Sequence, residues 1–347
     1  MTNEDLLYAI GEIRADWIMD AKQIGKRKST VSVRRLAVVA VAAALLMALA
    51  GTAVAYFSGA DWFKSYFGDK TDIPLTTQQE QYIEAQTVGI GQSATSGGVT
   101  VMLESAFSDG YTGFIKLRVT APEGVSFQTL SGVNFESSLA CETPEGNIGI
   151  RRMGWRIEED GDGKDHTTVA VLQVEVARTA DSDKKLTVGY PWTLQMEDLY
   201  AYSTEYPYDK YVIAECGFTF QFQFSEEEQA LAELTLDITP FACPSTRLMG
   251  DSVDVQIETF TLRSMGAEMS YTFFQGDTPE AVDISPLTVY MHDGTMLLLY
   301  PSSGAVYNHL EPEKALGIME FSSDVPVILE EAEYILFPNG EKIWVTP

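Results

Sequence analysis

Three kinds of hydrophobic pattern follow one another along the chain. In the first, Leu6, Ile10, Ile13 and Trp17 recur at steps of four, three and four residues, which places them on one face of a helix, and Leu7 and Ile18 widen that stripe. Thr2 with Asp5 forms a capping-box pair, and Glu4 and Asp5 favour the positive end of the helix dipole. Gly11 weakens this helix by about 1 kcal/mol relative to alanine. A lone helix of this length has no core of its own to cover. Its stripe either docks on a cytosolic partner or belongs to a partly ordered leader.

The second pattern is an unbroken apolar run over residues 36–57, with Thr52 its one polar side chain. As a helix it spans about 33 Å, enough for a bilayer core of about 30 Å. The run is longer than the apolar region of a signal peptide, and 35 residues precede it. A single transmembrane anchor is therefore expected. Ala53-Val54-Ala55 keeps a cleaved signal in view, which would release a mature chain beginning at Tyr56. Lys22, Lys26, Arg27, Lys28, Arg34 and Arg35 flank the run on one side, so the positive-inside rule puts residues 1–35 in the cytoplasm and the rest outside the cell. Tyr56, Phe57, Trp62 and Phe63 then fall where an aromatic belt belongs. Residues 58–90 read as a juxtamembrane stalk, with one short helix in LTTQQEQYIEAQ capped by Thr76 or Thr77.

From about residue 91 the period is two. Phe218, Phe220, Phe222 and Phe224 alternate with Thr219, Gln221 and Gln223, giving a strand with one buried face and one wet face. Leu172, Val174 and Val176 do the same around Gln173 and Glu175. VTVMLESAF and FIKLRVTAP are further strands. Ser108-Asp109-Gly110, Pro144–Asn147 and the Asp160–Asp165 loop supply the turns. The acidic, helix-prone SEEEQALAE at residues 225–233 interrupts the strands, and a second set follows it, with hairpin turns at Asp293-Gly294 and Asn339-Gly340. The expected architecture is mainly β. A cytoplasmic arm (1–35), a transmembrane helix (36–57) and the stalk (58–90) precede two antiparallel β-sandwich domains, 91–225 and 226–347.

Charge narrows the function. Residues 1–35 carry seven basic and five acidic residues, whereas the remainder carries 16 basic against 45 acidic. So acidic a body repels nucleic acid and anionic lipid, and no nucleic-acid role is expected. Cys141, Cys216 and Cys243 form no metal-binding spacing. One disulfide with one free thiol remains open beside three buried thiols, the reading favoured by the apolar surroundings. His166, His292 and His309 are far apart in sequence and read as exposed loop residues rather than ligands. No GxSxG, HExxH or P-loop is present, so no enzymatic activity, catalytic residue, metal or cofactor is expected. Asp160, Asp162 and Asp165 offer oxygen ligands of the kind Ca²⁺ takes, but Lys164 at the fifth position rules out an EF-hand, and a solvated acidic loop is the plainer reading.

The leader helix, the Ala-rich span and LTTQQEQYIEAQTVGIGQSATSGGVTVMLESAFSDGYTGFIKLRVTAP together resemble the DUF4179 family of Firmicutes, described in places as negative effectors of extracytoplasmic-function sigma factors. The resemblance rests on Gly97-Gly98-Val99-Thr100-Val101, Ser108-Asp109-Gly110 and the strand Phe114–Thr120. DSVDVQIETFTLRSMGAEMSYTF is similar to the immunoglobulin-like domain that often follows in that family. The resemblance covers most of the chain as a diffuse pattern and brings no catalytic residues. It implies immunoglobulin-like sandwiches and an anti-sigma-like, single-pass regulator that joins an outside sensing body, its ligand unknown, to a cytosolic sigma factor or other regulator through residues 1–25. Leu6, Ile10, Ile13 and Trp17 would carry that inner contact. The arm departs from better-known anti-sigma factors in lacking the HxxxCxxC zinc motif. A surface-anchored binding or structural module with no signalling role is the alternative.

Overall fold

The computed structural model describes residues 59–345, other than 72, 128–130, 145, 159–165, 177–184, 187–188, 203–208, 226–232, 248–251, 275–281, 285 and 312–313. The arm with Leu6, Ile10, Ile13 and Trp17, the apolar run 36–57, the Asp160–Asp165 loop and most of the acidic interruption lie outside the described residues. The described residues fall within one compact unit, Gly51–Pro347. They are mainly β, in antiparallel sheets consistent with sandwich architecture. Among them no helix is long and apolar enough to cross a membrane.

Helix α1 covers residues 59–68 and helix α2 covers Thr77–Gln86. Thr76 caps α2, its hydroxyl accepting from the Gln79 amide while the Gln79 side chain accepts from the Thr76 amide. Nine strands follow: β1 Thr87–Ser96, β2 Val99–Ser108, β3 Thr112–Thr120, β4 Ser131–Thr143, β5 Gly146–Ile148, β6 Ile150–Glu158, β7 Thr167–Val176, β8 Trp192–Tyr202 and β9 Lys210–Phe222. They form two sheets, β1-β2-β3-β7-β6 and β5-β4-β8-β9. One apolar core fills the space between them, with Leu103, Leu117 and Leu172 from the first sheet against Trp192, Met196 and Phe220 from the second. The phenylalanine alternation holds: Phe218, Phe220 and Phe222 face this core, while Thr219, Gln221 and Gln223 are exposed.

The second module comprises β10 Glu233–Leu236, β11 Phe241–Arg247, β12 Ser252–Arg263, β13 Gly266–Phe274, β14 Val282–Asp283, β15 Leu287–Met291, β16 Met296–Glu311, β17 Lys314–Ser323, β18 Ala332–Leu336 and β19 Lys342–Trp344. A sandwich was expected here, and its ten strands form one continuous antiparallel sheet. The physical reason is β16. Its first four residues, Met296 to Leu299, pair with β15, and from Leu299 onward it pairs with β17, so the ladder never breaks between layers. The sheet then folds back on itself. Phe337, just after β18, packs on Phe241 and Phe260 with ring centroids 5.0 and 5.8 Å away, and the Asn339 side-chain Nδ2 donates to the Ala242 carbonyl at 3.0 Å. Gly294 and Gly340 both sit at φ 87°, as the two hairpin turns demand.

The segment read as a stalk is packed into the body. Phe63, Phe67 and Ile83 are fully buried. Phe63 and Phe67, one helical turn apart on α1, lie 5.8 and 5.1 Å from the Phe107 ring at the end of β2, and their cluster is continuous with the core of the second module. Each phenylalanine so buried contributes about 1.5–3 kcal/mol, which a solvated stalk would forgo. Phe63 therefore serves a protein core rather than an aromatic belt. Gln79 on α2 reaches the second module by donating to the Pro326 carbonyl.

Candidate functional site

The outer face of the first sheet, away from its own core, carries most of the site. Glu175 on β7 was expected on a wet face, but it is only 8% exposed, because the second module covers that face. Three sets of contacts cross this seam. Asp109, in the turn after β2, accepts from the Tyr111 and Thr112 amides through Oδ1 at 2.9 and 2.7 Å, and from the Met265 amide through Oδ2 at 2.9 Å. Met265 lies in the β12–β13 hairpin, so one carboxyl both shapes its own turn and pins the other module. On β6, Arg151 pairs with Glu320 of β17 and donates to Ser303 of β16, and Ser303 donates to Glu320 at 3.1 Å. Beside it, Arg152 donates to the Ser302 carbonyl at 3.2 Å and lies 3.7 Å from Glu175. The Arg263 guanidinium of β12 stacks 4.5 Å above the Tyr111 ring and donates to Glu268 at 3.0 Å.

Between these groups is a cavity of about 20 Å³, lined in part by Asp109, Glu175, Arg263, Ser302 and Glu320. That is room for about one water-sized group. Glu175 Oε2 has no hydrogen-bond partner there. Burial raises the pKa of the Glu175 carboxyl, against the pull of Arg152. Burial also raises that of Glu320, against Arg151, and that of Asp109, against its three amide donors. Three carboxyls at one seam are therefore all easier to protonate than in solution. Gly266 is required beside them, because a Cβ there would collide with the Phe321 carbonyl.

A second polar cluster lies on the same face. Glu104 receives Lys116 at 2.6 Å and Arg118 at 2.7 Å, and the Lys116 ammonium sits 4.8 Å from the Trp62 ring of α1. Lys70, just after α1, stands 4.1 Å over the Tyr66 ring, and burial lowers its pKa to about 8. Burial also raises Tyr66 to about 12. Lys116 over Trp62, and Lys70 at 5.6 Å from the Phe114 ring of β3, join α1 to the first sheet.

The arm residues Leu6, Ile10, Ile13 and Trp17 lie outside the described residues, as does the Asp160–Asp165 loop. His166 and His292 are exposed. All three cysteines are free thiols, Cys141 and Cys243 buried and Cys216 half-buried. Among the described residues, no group of three or more His, Cys, Asp or Glu side chains is arranged to hold a metal ion. Sequence reasoning passed over Asp109, Glu175 and Glu320. Asp109 sits in a turn tripeptide, and the two glutamates occupy ordinary polar positions of alternating strands, so no local signal marks them.

No protein-family model matches the chain, and no curated protein matches it. A solved structure, that of a conserved domain protein from Bacillus anthracis, is similar at 13% identity with a TM-score of 0.41, over 74% of this chain and 86% of that one.

Proposed function

We propose that the chain is a single-pass membrane regulator of the anti-sigma-factor type, in which an extracytoplasmic body of two immunoglobulin-like modules acts through residues 36–57 on a cytosolic arm. The observation that carries this reading is the burial of α1. The helix begins two positions after the apolar run ends, yet Phe63 and Phe67 are fully buried at the seam between the modules. A passive tether needs no such attachment. A transmitter does, because a shift of one module on the other then reaches the residues next to the membrane. Leu6, Ile10, Ile13 and Trp17 are the proposed contact with a sigma factor or another cytosolic regulator. The test uses the full chain in cells. Ile13→Asp and Trp17→Ala are expected to abolish regulation of the target genes while leaving the amount and melting temperature of the body unchanged. Unaltered transcript levels in both variants would refute the signalling role and leave a surface-anchored module.

A further inference from the structure

Strand β16 departs from the alternation that a half-exposed strand follows. Met296, Leu298 and Tyr300 are 51%, 42% and 43% exposed, and Leu297 and Leu299 between them are buried. The register carries the row across the sheet. Met296 is opposite Tyr290, Tyr290 is opposite Tyr334, and Tyr334 is opposite Trp344, which is 57% exposed. A strand apolar on both faces is ordinarily covered on both, and a contiguous uncovered row of this kind marks an interaction surface.

One end of the row is acidic. The His292 amide donates to the Glu331 carbonyl at 2.8 Å, and the Val345 amide donates to the Glu333 carbonyl at 2.9 Å. These bonds bring the backbone of the Asp293 turn and of the Glu330–Glu333 segment to the end of the row that carries Tyr290, Tyr334 and Met296. The row also already accommodates a cation. The Lys342 ammonium lies 3.9 Å from the Tyr334 ring centroid and 5.8 Å from that of Trp344.

Three other occupants fit poorly. Tyr290 and Tyr334 stack on each other at 4.5 Å and 14°, which takes one face of each ring, and Lys342 lies over the Tyr334 ring, so the pair offers a sugar ring a poor platform. A second copy of this chain, with net charge −27, would bring acidic end against acidic body. An anionic lipid surface meets the same repulsion. We infer that the Met296–Leu298–Tyr300 row and the Tyr290–Tyr334–Trp344 ladder dock a cationic amphipathic peptide, its apolar side chains on the row and its Lys or Arg groups at the Asp293, Glu330 and Glu333 end. This gives the proposed sensing body a ligand class and rests on that reading only for its place outside the cell, since binding is measured without any signalling.

The experiment uses the full chain in phosphatidylcholine nanodiscs, with empty discs as background. The probe is a short dansyl-labelled peptide of alternating Leu and Lys, followed by fluorescence anisotropy at low and high salt. Saturable binding above background is expected. Leu298→Ser with Trp344→Ser should weaken it about tenfold. Asp293→Asn with Glu333→Gln should weaken it and flatten its salt dependence. Lys342→Ala should tighten it, because an internal cation no longer occupies the ring. Asp293, Leu298, Lys342 and Trp344 are exposed and Glu333 is half-buried, and unchanged melting temperatures confirm intact folding. Absence of binding, equal binding by every variant, or equal binding of a Leu/Glu peptide would overturn the proposal. So would sedimentation showing a dimer that Leu298→Ser dissolves, which would make a second copy the occupant.

Discussion

Replacing Glu175 with Gln is expected to stabilise the body at neutral and alkaline pH, the reverse of the usual effect of removing a paired carboxylate. The side chain is 10% exposed, Oε2 has no donor, and the nearest cation, Arg152, lies 3.7 Å away and is itself 52% exposed. Holding the charged carboxylate out of water costs about 1–3 kcal/mol or more, and an ion pair this open returns at most about 1 kcal/mol. Gln keeps the shape and removes the charge, so the expected gain is about 1 kcal/mol at about pH 8. The pH dependence has a definite sign. Burial holds the folded-state pKa of Glu175 above its ordinary 4.5, so the native state binds this proton more tightly than the unfolded chain. The stability it contributes is fully present below pH 4.5 and is lost as pH rises through the raised pKa. Melting curves of the full chain in detergent, across the acid-to-alkaline range, check this. Wild type and variant should converge at low pH and separate by about 2–4 °C at about pH 8, the variant higher. A variant that melts lower at alkaline pH, or that keeps the wild-type slope, would show Glu175 held by a stronger partner than the geometry gives and would refute this account of the seam.

Other changes test the remaining contacts. Asp109→Ala strands three amide donors, one of them on the far module, and should cost about 3 kcal/mol in urea unfolding of the full chain. Phe67→Ala empties a fully buried site between α1 and Phe107 and should cost about 3–5 kcal/mol by the same measurement. Thiol titration with a coloured disulfide reagent should find three thiols per denatured chain. In the native protein Cys216 should react first. Cys141 and Cys243 are buried, and burial raises Cys243 to about 11, so its thiolate is scarce at neutral pH.

Local chemistry was legible where it was self-contained. Asp293-Gly294 and Asn339-Gly340 announce their hairpins because only glycine adopts the required φ without strain. The phenylalanine alternation announces β9 because both faces of that strand do what period two says. Glu175 shows where this reasoning stops. Alternation divides a strand into two faces but does not say what covers the polar one. Here the cover is β16 and β17, more than 100 residues away, and only their arrival turns a surface glutamate into a buried one. The aromatic segment of α1 was ambiguous for a different reason. Trp62, Phe63, Tyr66 and Phe67 suit a membrane interface and a protein seam equally, since each presents an apolar body with few polar atoms. Phe63 and Phe67, one turn apart, were the available hint of a helix with a buried face.

The two sides of the seam differ in character, and the difference bears on the proposed transmission. Around α1 the contacts are apolar: Phe63, Phe67, Phe107 and Phe114 form one cluster with the second module's core. Around the cavity they are polar and charged: Asp109 to Met265, Arg151 to Glu320, Arg152 to Ser302. Apolar contacts tolerate small rotations because they have no required direction, whereas hydrogen bonds lose their strength as the angle departs from linear. A rearrangement of the two modules would therefore open the polar side first and turn about the aromatic side, where α1 sits. The carboxyls whose protonation burial favours are all on the side that opens. Neutralising Glu175 should thus tighten the joint without touching α1. A signalling change in Glu175→Gln cells with α1 intact would connect the seam to the membrane, and an unchanged signal together with the expected rise in melting temperature would confine Glu175 to stability.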